Sequence, residues 1–148
     1  MQTQPRVPEP HDKDEEAMIT LLLVDDEPLV RHGLRIWLER MADIAVIGEA
    51  SNATESVALA QTLQPDVVLM DISMSAADGI AATAALRASV PHCAVVLLSL
   101  HDDATTQARA QAAGASTLVG KQDGIKALLG ALREAGGQGR ESPRERNP

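Results

Sequence analysis

Through the middle of the chain, short apolar runs of strand length alternate with longer segments whose apolar residues recur at three- and four-residue spacing. The runs cover 19–24, 44–49, 67–70, 94–99 and 116–119. They are nearly continuous in Val, Leu and Ile, as expected for strands of a parallel sheet covered on both faces. The intervening segments predict helices. The first opens with Pro28 in its first turn and places Val30, Leu34, Trp37, Leu38 and Met41 on one buried stripe. Others are expected at 53–63, 79–88, 104–112 and 124–135, which completes five strand-helix units.

The two ends break this rhythm. Residues 1–18 hold Pro5, Pro8 and Pro10 followed by a polar run, a composition that cannot bury enough surface to order itself, so a disordered leader is expected. Residues 136–148 contain no apolar side chain besides glycine and proline and read as a flexible linker or tail. One domain over 19–135 remains, consistent with a chain of 148 residues that are 45% hydrophobic.

Composition narrows the function. Trp37 is the only aromatic residue, which argues against base-stacking modules. The net charge is -8; the leader carries -3 and the tail +1, leaving -6 on the domain, which repels polyanions, so no direct nucleic-acid binding is expected. A single cysteine, Cys93, excludes an intramolecular disulfide and reads as a small core residue. The leader has no apolar run, so neither a signal peptide nor a membrane span is expected, and the cytoplasm is the expected compartment.

In an α/β chain of this kind ligands gather beyond the carboxyl ends of the strands. Val24 leads into Asp25 and Asp26, Met70 into Asp71, the fourth strand finishes at Ser99, and Lys121 closely follows the fifth. Taken singly, each has a bland reading: helix caps for the aspartates, a solvated charge for the lysine. Capping alone does not explain four such groups at four strand ends. Three converging carboxylates call for a cation, and an all-oxygen donor set favours Mg2+. Asp71 can then attack phosphorus as a nucleophile, with the Lys121 ammonium and Ser99 hydroxyl sharing charge on the peripheral oxygens. The glycines fall singly, without a phosphate-cradling loop.

The start Asp25-Asp26-Glu27-Pro28, the segment Val-Val-Leu-Met-Asp-Ile-Ser-Met-Ser-Ala-Ala-Asp-Gly from Val67 to Gly79, Ser99 and Lys121 together resemble a response-regulator receiver domain of the CheY-like superfamily. The wording around Asp71 and Gly79 is most similar to receivers of NarL/LuxR-type transcriptional regulators. The resemblance implies a doubly wound, flavodoxin-like five-stranded parallel sheet in the order 2-1-3-4-5. It implies Asp71 as phosphoacceptor, Asp25, Asp26, Asp71 and the Ser73 backbone carbonyl as Mg2+ ligands, and Ser99 and Lys121 as the phosphate-sensing hydroxyl and lysine. It implies a histidine kinase as donor, two-component signalling as the setting, and a domain that catalyses only its own phosphoryl uptake and autodephosphorylation. A homodimer is compatible with it. The linker-like tail, with the NarL/LuxR wording, favours a fragment whose helix-turn-helix output domain lay beyond Pro148 over a stand-alone receiver.

Four positions depart from the family pattern. Ser75 stands where proline is usual, Leu118 where a switching Tyr or Phe is usual, Leu100 where a small residue is commoner, and Gln122 where proline often follows the lysine. Haloacid-dehalogenase phosphatases also form aspartyl phosphates, but they need a second Asp two residues after the nucleophile, and Ser73 occupies that place.

Overall fold

The computed structural model describes residues 18–72 and 75–145, with side chains as far as Gly137. Five strands and five helices alternate: β1 Ile19–Val24, α1 Pro28–Glu39, β2 Ile44–Ala50, α2 Ala53–Leu63, β3 Val67–Asp71, α3 Ala76–Ser89, β4 Ala94–Ser99, α4 Ala104–Ala113, β5 Thr117–Gly120 and α5 Ile125–Glu145. The strands form one parallel sheet in the order β2-β1-β3-β4-β5, the expected doubly wound arrangement. The order reverses between β1 and β3, which opens a crevice at their carboxyl ends.

Strand alternation sorts the core into two layers. Leu21, Leu23, Val67, Leu69, Val96, Leu98 and Val119 face α1 and α5, where Leu38, Leu128 and Leu132 meet them. Leu22, Val24, Val68, Met70, Val95, Leu97 and Leu118 face the other way, against Ala60 of α2, Ala82 and Leu86 of α3 and Ala110 of α4. Aliphatic side chains dominate both layers, with Trp37 at the edge of the first and Met70 and Cys93 in the second. Small residues on the second set of helices suit that economy, since alanine lets a helix lie close to the sheet. Cys93 is buried in this second layer, and burial pushes its thiol up to about 12, so it is a core residue as expected.

Two expectations need correction. The α1 stripe is less buried than its period suggests: Leu38 is fully enclosed and Leu34, Trp37 and Met41 pack partly, but Val30 is 44% exposed. Val30 lies in the first helical turn, which overhangs the carboxyl edge of the sheet, and the core no longer reaches it. The last helix does not stop at Ala135 either; the segment read as a tail continues α5 to Glu145. Gly136 is buried, and a β-carbon there would stand 2.7 Å from the Ile19 side chain. This close approach anchors a further turn against β1, and helix propagation from an anchored turn adds one hydrogen bond per residue. The expected leader lies outside the described residues apart from Met18, as do residues 146–148. No helix among the described residues is long and apolar enough to cross a membrane.

Candidate functional site

Register places the chemistry. Val24 pairs with Met70, Asp71 with Leu98 and Ser99 with Gly120, so the residues that follow β1, β3, β4 and β5 share one edge of the sheet. Asp71 ends β3 and is only 8% exposed. Its neighbour Ile72 stays in line, donating its N–H to the Leu98 carbonyl at 2.8 Å. Helix α3 presses on that turn: a β-carbon at Gly79 would sit 2.0 Å from Ile72 Cγ2, a distance no side chain tolerates, so glycine is required there. Ser75 caps α3, its hydroxyl accepting the Asp78 N–H at 3.2 Å with φ at -157°. Proline could adopt neither that angle nor that bond, which gives the departure from the family pattern a structural reason.

Around Asp71 the structure brings together two of the expected partners. Lys121 Nζ stands 2.6 Å from Asp71 Oδ2. Asp25 is 2% exposed; its Oδ1 accepts the Glu27 N–H at 2.9 Å, while Oδ2 is buried with no hydrogen-bond partner among the described residues. Burial and the nearby Asp71 carboxylate push the Asp25 carboxyl up to about 6, against the lowering effect of the Glu27 N–H and Lys121. A buried carboxylate oxygen with no donor is a costly arrangement that a bound cation relieves, and oxygen donors suit a hard divalent ion.

Other expected members stand differently. Asp26 is exposed at the mouth of the loop, and no group of three His, Cys, Asp or Glu among the described residues is poised to hold a metal. Of the three expected carboxylates, Asp25 and Asp71 are buried at this edge and Asp26 is exposed beside them. Ser73 lies outside the described residues. Ser99 is buried, but its hydroxyl is committed to the loop ahead: it donates to the His101 carbonyl at 2.7 Å and accepts the His101 N–H at 3.0 Å. Leu118 is buried in the second core layer, and Gln107 of α4 donates to its carbonyl at 3.3 Å. Leu100 is exposed at the rim.

Sequence reasoning missed the supports. Arg31 donates from Nη1 to the Asp25 carbonyl at 2.6 Å and from Nε to Glu49 Oε1 at 2.8 Å; Arg35 donates to Glu49 Oε2 at 2.5 Å. Gln122 donates to Asp102 Oδ1 at 3.1 Å, joining the loop after Ser99 to the turn that carries Lys121. The spacing of Arg31 and Arg35, one turn apart on a helix that follows an acidic loop, was the available signal.

A family model for the response regulator receiver domain matches residues 21–133. The chain belongs to this receiver family. Among curated proteins, the receiver is 39% identical over 118 residues to the transcriptional regulatory protein LiaR of Bacillus subtilis, covering 80% of this chain and 56% of LiaR. It is 34% identical over 116 residues to the response regulator protein VraR of Staphylococcus aureus, covering 78% of this chain and 56% of VraR. The receiver thus spans about half the length of these relatives. Among solved structures, it superposes on the signal receiver domain of NarL from Mycobacterium tuberculosis with a TM-score of 0.69 at 30% identity, covering 78% of this chain and 97% of that one. These are the NarL/LuxR-type relatives the sequence pointed to, and receivers of this family generally bind Mg2+ in their acidic pocket.

Proposed function

We propose that this receiver is a phosphorylation switch in two-component signalling, with Asp71 as acceptor. The observation that carries the reading is the grouping of buried Asp71, the Lys121 ammonium 2.6 Å from it, and a buried Asp25 oxygen with no donor among the described residues. Asp25, Asp26, Asp71 and the Ser73 carbonyl would hold Mg2+, which when bound supplies positive charge against the developing charge on the phosphoryl oxygens. A carboxylate oxygen of Asp71 forms the new O–P bond. The P–N bond to a histidine kinase imidazole, or the P–O bond of acetyl phosphate, breaks, and the leaving group keeps the electron pair. Lys121 is already paired to Asp71 and can follow the charge onto the phosphoryl group. Ser99 must give up its two bonds to His101 before its hydroxyl can reach that group.

The receiver then acts by population shift, the phosphorylated state biasing the α4-β5-α5 surface toward an output. It catalyses only its own phosphoryl uptake and loss. The name of the transcriptional regulatory protein LiaR supports transcription as that output; a helix-turn-helix output domain, a homodimer and a cytoplasmic setting belong to the same proposal through the receiver resemblance. One observation favours a second reading, a binding module that signals without phosphorylation: Leu118 is packed inward where an aromatic side chain would otherwise be free to rotate.

The test is intact mass after incubation with acetyl phosphate, with and without Mg2+, for the parent, Asp71→Asn and Asp26→Ala. One added phosphoryl group that needs Mg2+ and is absent from both variants is the expected result. No adduct on the parent, with no Mg2+ binding, would replace the switch by the phosphorylation-independent module.

A further inference from the structure

We propose that Arg31, backed by Glu49, is the positioning residue of the acidic loop, and that it sets the affinity of the receiver for its divalent cation. The inference rests on the reading of Asp25 and Asp26 as metal ligands. Arg31 sits in the first turns of α1 and reaches back over the loop it follows. One arm of its guanidinium holds the backbone carbonyl of Asp25 at 2.6 Å and another holds Glu49 at 2.8 Å. A peptide group is planar and trans, so fixing the direction of the Asp25 carbonyl also fixes the Asp26 N–H on the opposite side and the plane from which Asp26 departs. Asp25 is held again at its N–H by the Ala50 carbonyl at 3.1 Å and at its Oδ1 by the Glu27 N–H. Among the described residues none ties the exposed Asp26 side chain in this way; its backbone plane is what prepares it.

Charge makes the arrangement more specific. A guanidinium beside a cation site would ordinarily repel the ion. Here two guanidiniums meet two carboxylates: Arg31 and Arg35 share Glu49, and Arg35 also pairs with Glu39 at 2.9 Å, so the loop receives the geometry of an arginine fork without an unbalanced positive charge. Both Arg31 and Glu49 are largely shielded, with side chains 19% and 29% exposed, which keeps the pair from dissolving into solvent.

The opposed effects give the test a sign. If Arg31 acted only as a nearby charge, its removal would tighten cation binding; if it positions the loop, removal weakens it. Mg2+ is titrated calorimetrically into the full chain as parent, Arg31→Ala, Arg31→Lys and Glu49→Gln, with thermal unfolding in EDTA alongside and acetyl phosphate uptake at saturating Mg2+. The expected result is roughly 10-fold weaker binding for Arg31→Ala, the scale of lost outer-shell support. Arg31→Lys should recover part of it, Glu49→Gln should weaken binding by a smaller factor, and uptake at saturating Mg2+ should stay within about 3-fold of the parent. Unchanged or tighter binding for Arg31→Ala, with only a lower unfolding temperature, would overturn the positioning role while the parent still binds Mg2+. Should Arg31→Ala not fold, Arg31→Lys and Glu49→Gln at parental affinity would overturn it equally. A parent that binds no Mg2+ is a different failure, removing the metal reading and this inference together.

Discussion

The loop after β1 and the loop after β4 border the same pocket and are secured by different means. The first, carrying Asp25 and Asp26, is tied by a shielded guanidinium and two carboxylate-to-backbone or backbone bonds. The second, from Leu100 to Asp103, is held by a neutral turn of Ser99 on His101 and by exposed contacts, Gln122 on Asp102 and the Thr106 N–H on Asp103. Charge-assisted bonds in a shielded place resist exchange with water, whereas neutral or exposed ones are replaced at small net cost. Under the proposed function, the tightly held side is the one that prepares an ion and the lightly held side is the one that turns toward a phosphoryl group.

The largest effects should come from the packing behind Asp71 and then from the rigid loop. Gly79→Ala, which forces α3 off Ile72 behind Asp71, should cost about 1–3 kcal/mol as an overpacked contact, measured by urea unfolding. Glu49→Gln should cost about 1–2 kcal/mol, at the low end for bonds to a charged group because the pair is partly open to water. Burial acts to raise the Glu49 carboxyl, but the hydrogen bonds from Arg35 and Arg31 prevail and hold it below its ordinary value. Its contribution is thus present above the ordinary glutamate range and lost as pH falls through the lowered value. The stability gap between parent and Glu49→Gln should close on acidification from pH 6 toward 3.

Asp25 runs in the opposite sense. Its folded value near 6 lies above the unfolded 3.8, so its contribution is complete below about 3.8 and disappears as pH rises through 6. Metal-free parent should gain stability relative to Asp25→Asn between pH 7.5 and 5, and Mg2+ should raise the unfolding temperature at pH 7.5 far more than at pH 5. Thermal scans with EDTA or Mg2+ check both. The loose side should give the smallest change: Gln122→Ala, within about 0.5 kcal/mol of the parent in urea, sharpens the contrast. A larger loss there would mean that the two loops are equally fixed.

Much of the architecture was readable because the physics is local. The nearly continuous apolar runs of β1, β3 and β4 and the apolar period of the helices are properties of consecutive residues, and they yielded five strands and five helices. Asp25, Asp71 and Lys121 were legible for the same reason, each standing at or just beyond a strand end. What escaped depends on distance along the chain. Arg31 and Glu49 lie 18 residues apart on a helix and a strand, with no local pattern joining them. Val30 fits the helical period but falls beyond the reach of the core, and Gly136 reads as linker until Ile19, far upstream, is seen beneath it. The direction of the Ser99 hydroxyl was equally hidden, since it is settled by the loop that follows.

Trp37, half-buried on α1 among aliphatic neighbours, gives the receiver an optical property as well as a packing one. With no tyrosine or phenylalanine in the chain, all of its near-ultraviolet emission originates from that one indole. The same helix carries Arg31 and Arg35, so the colour and intensity of the emitted light report, without any attached dye, on the element that grips the acidic loop.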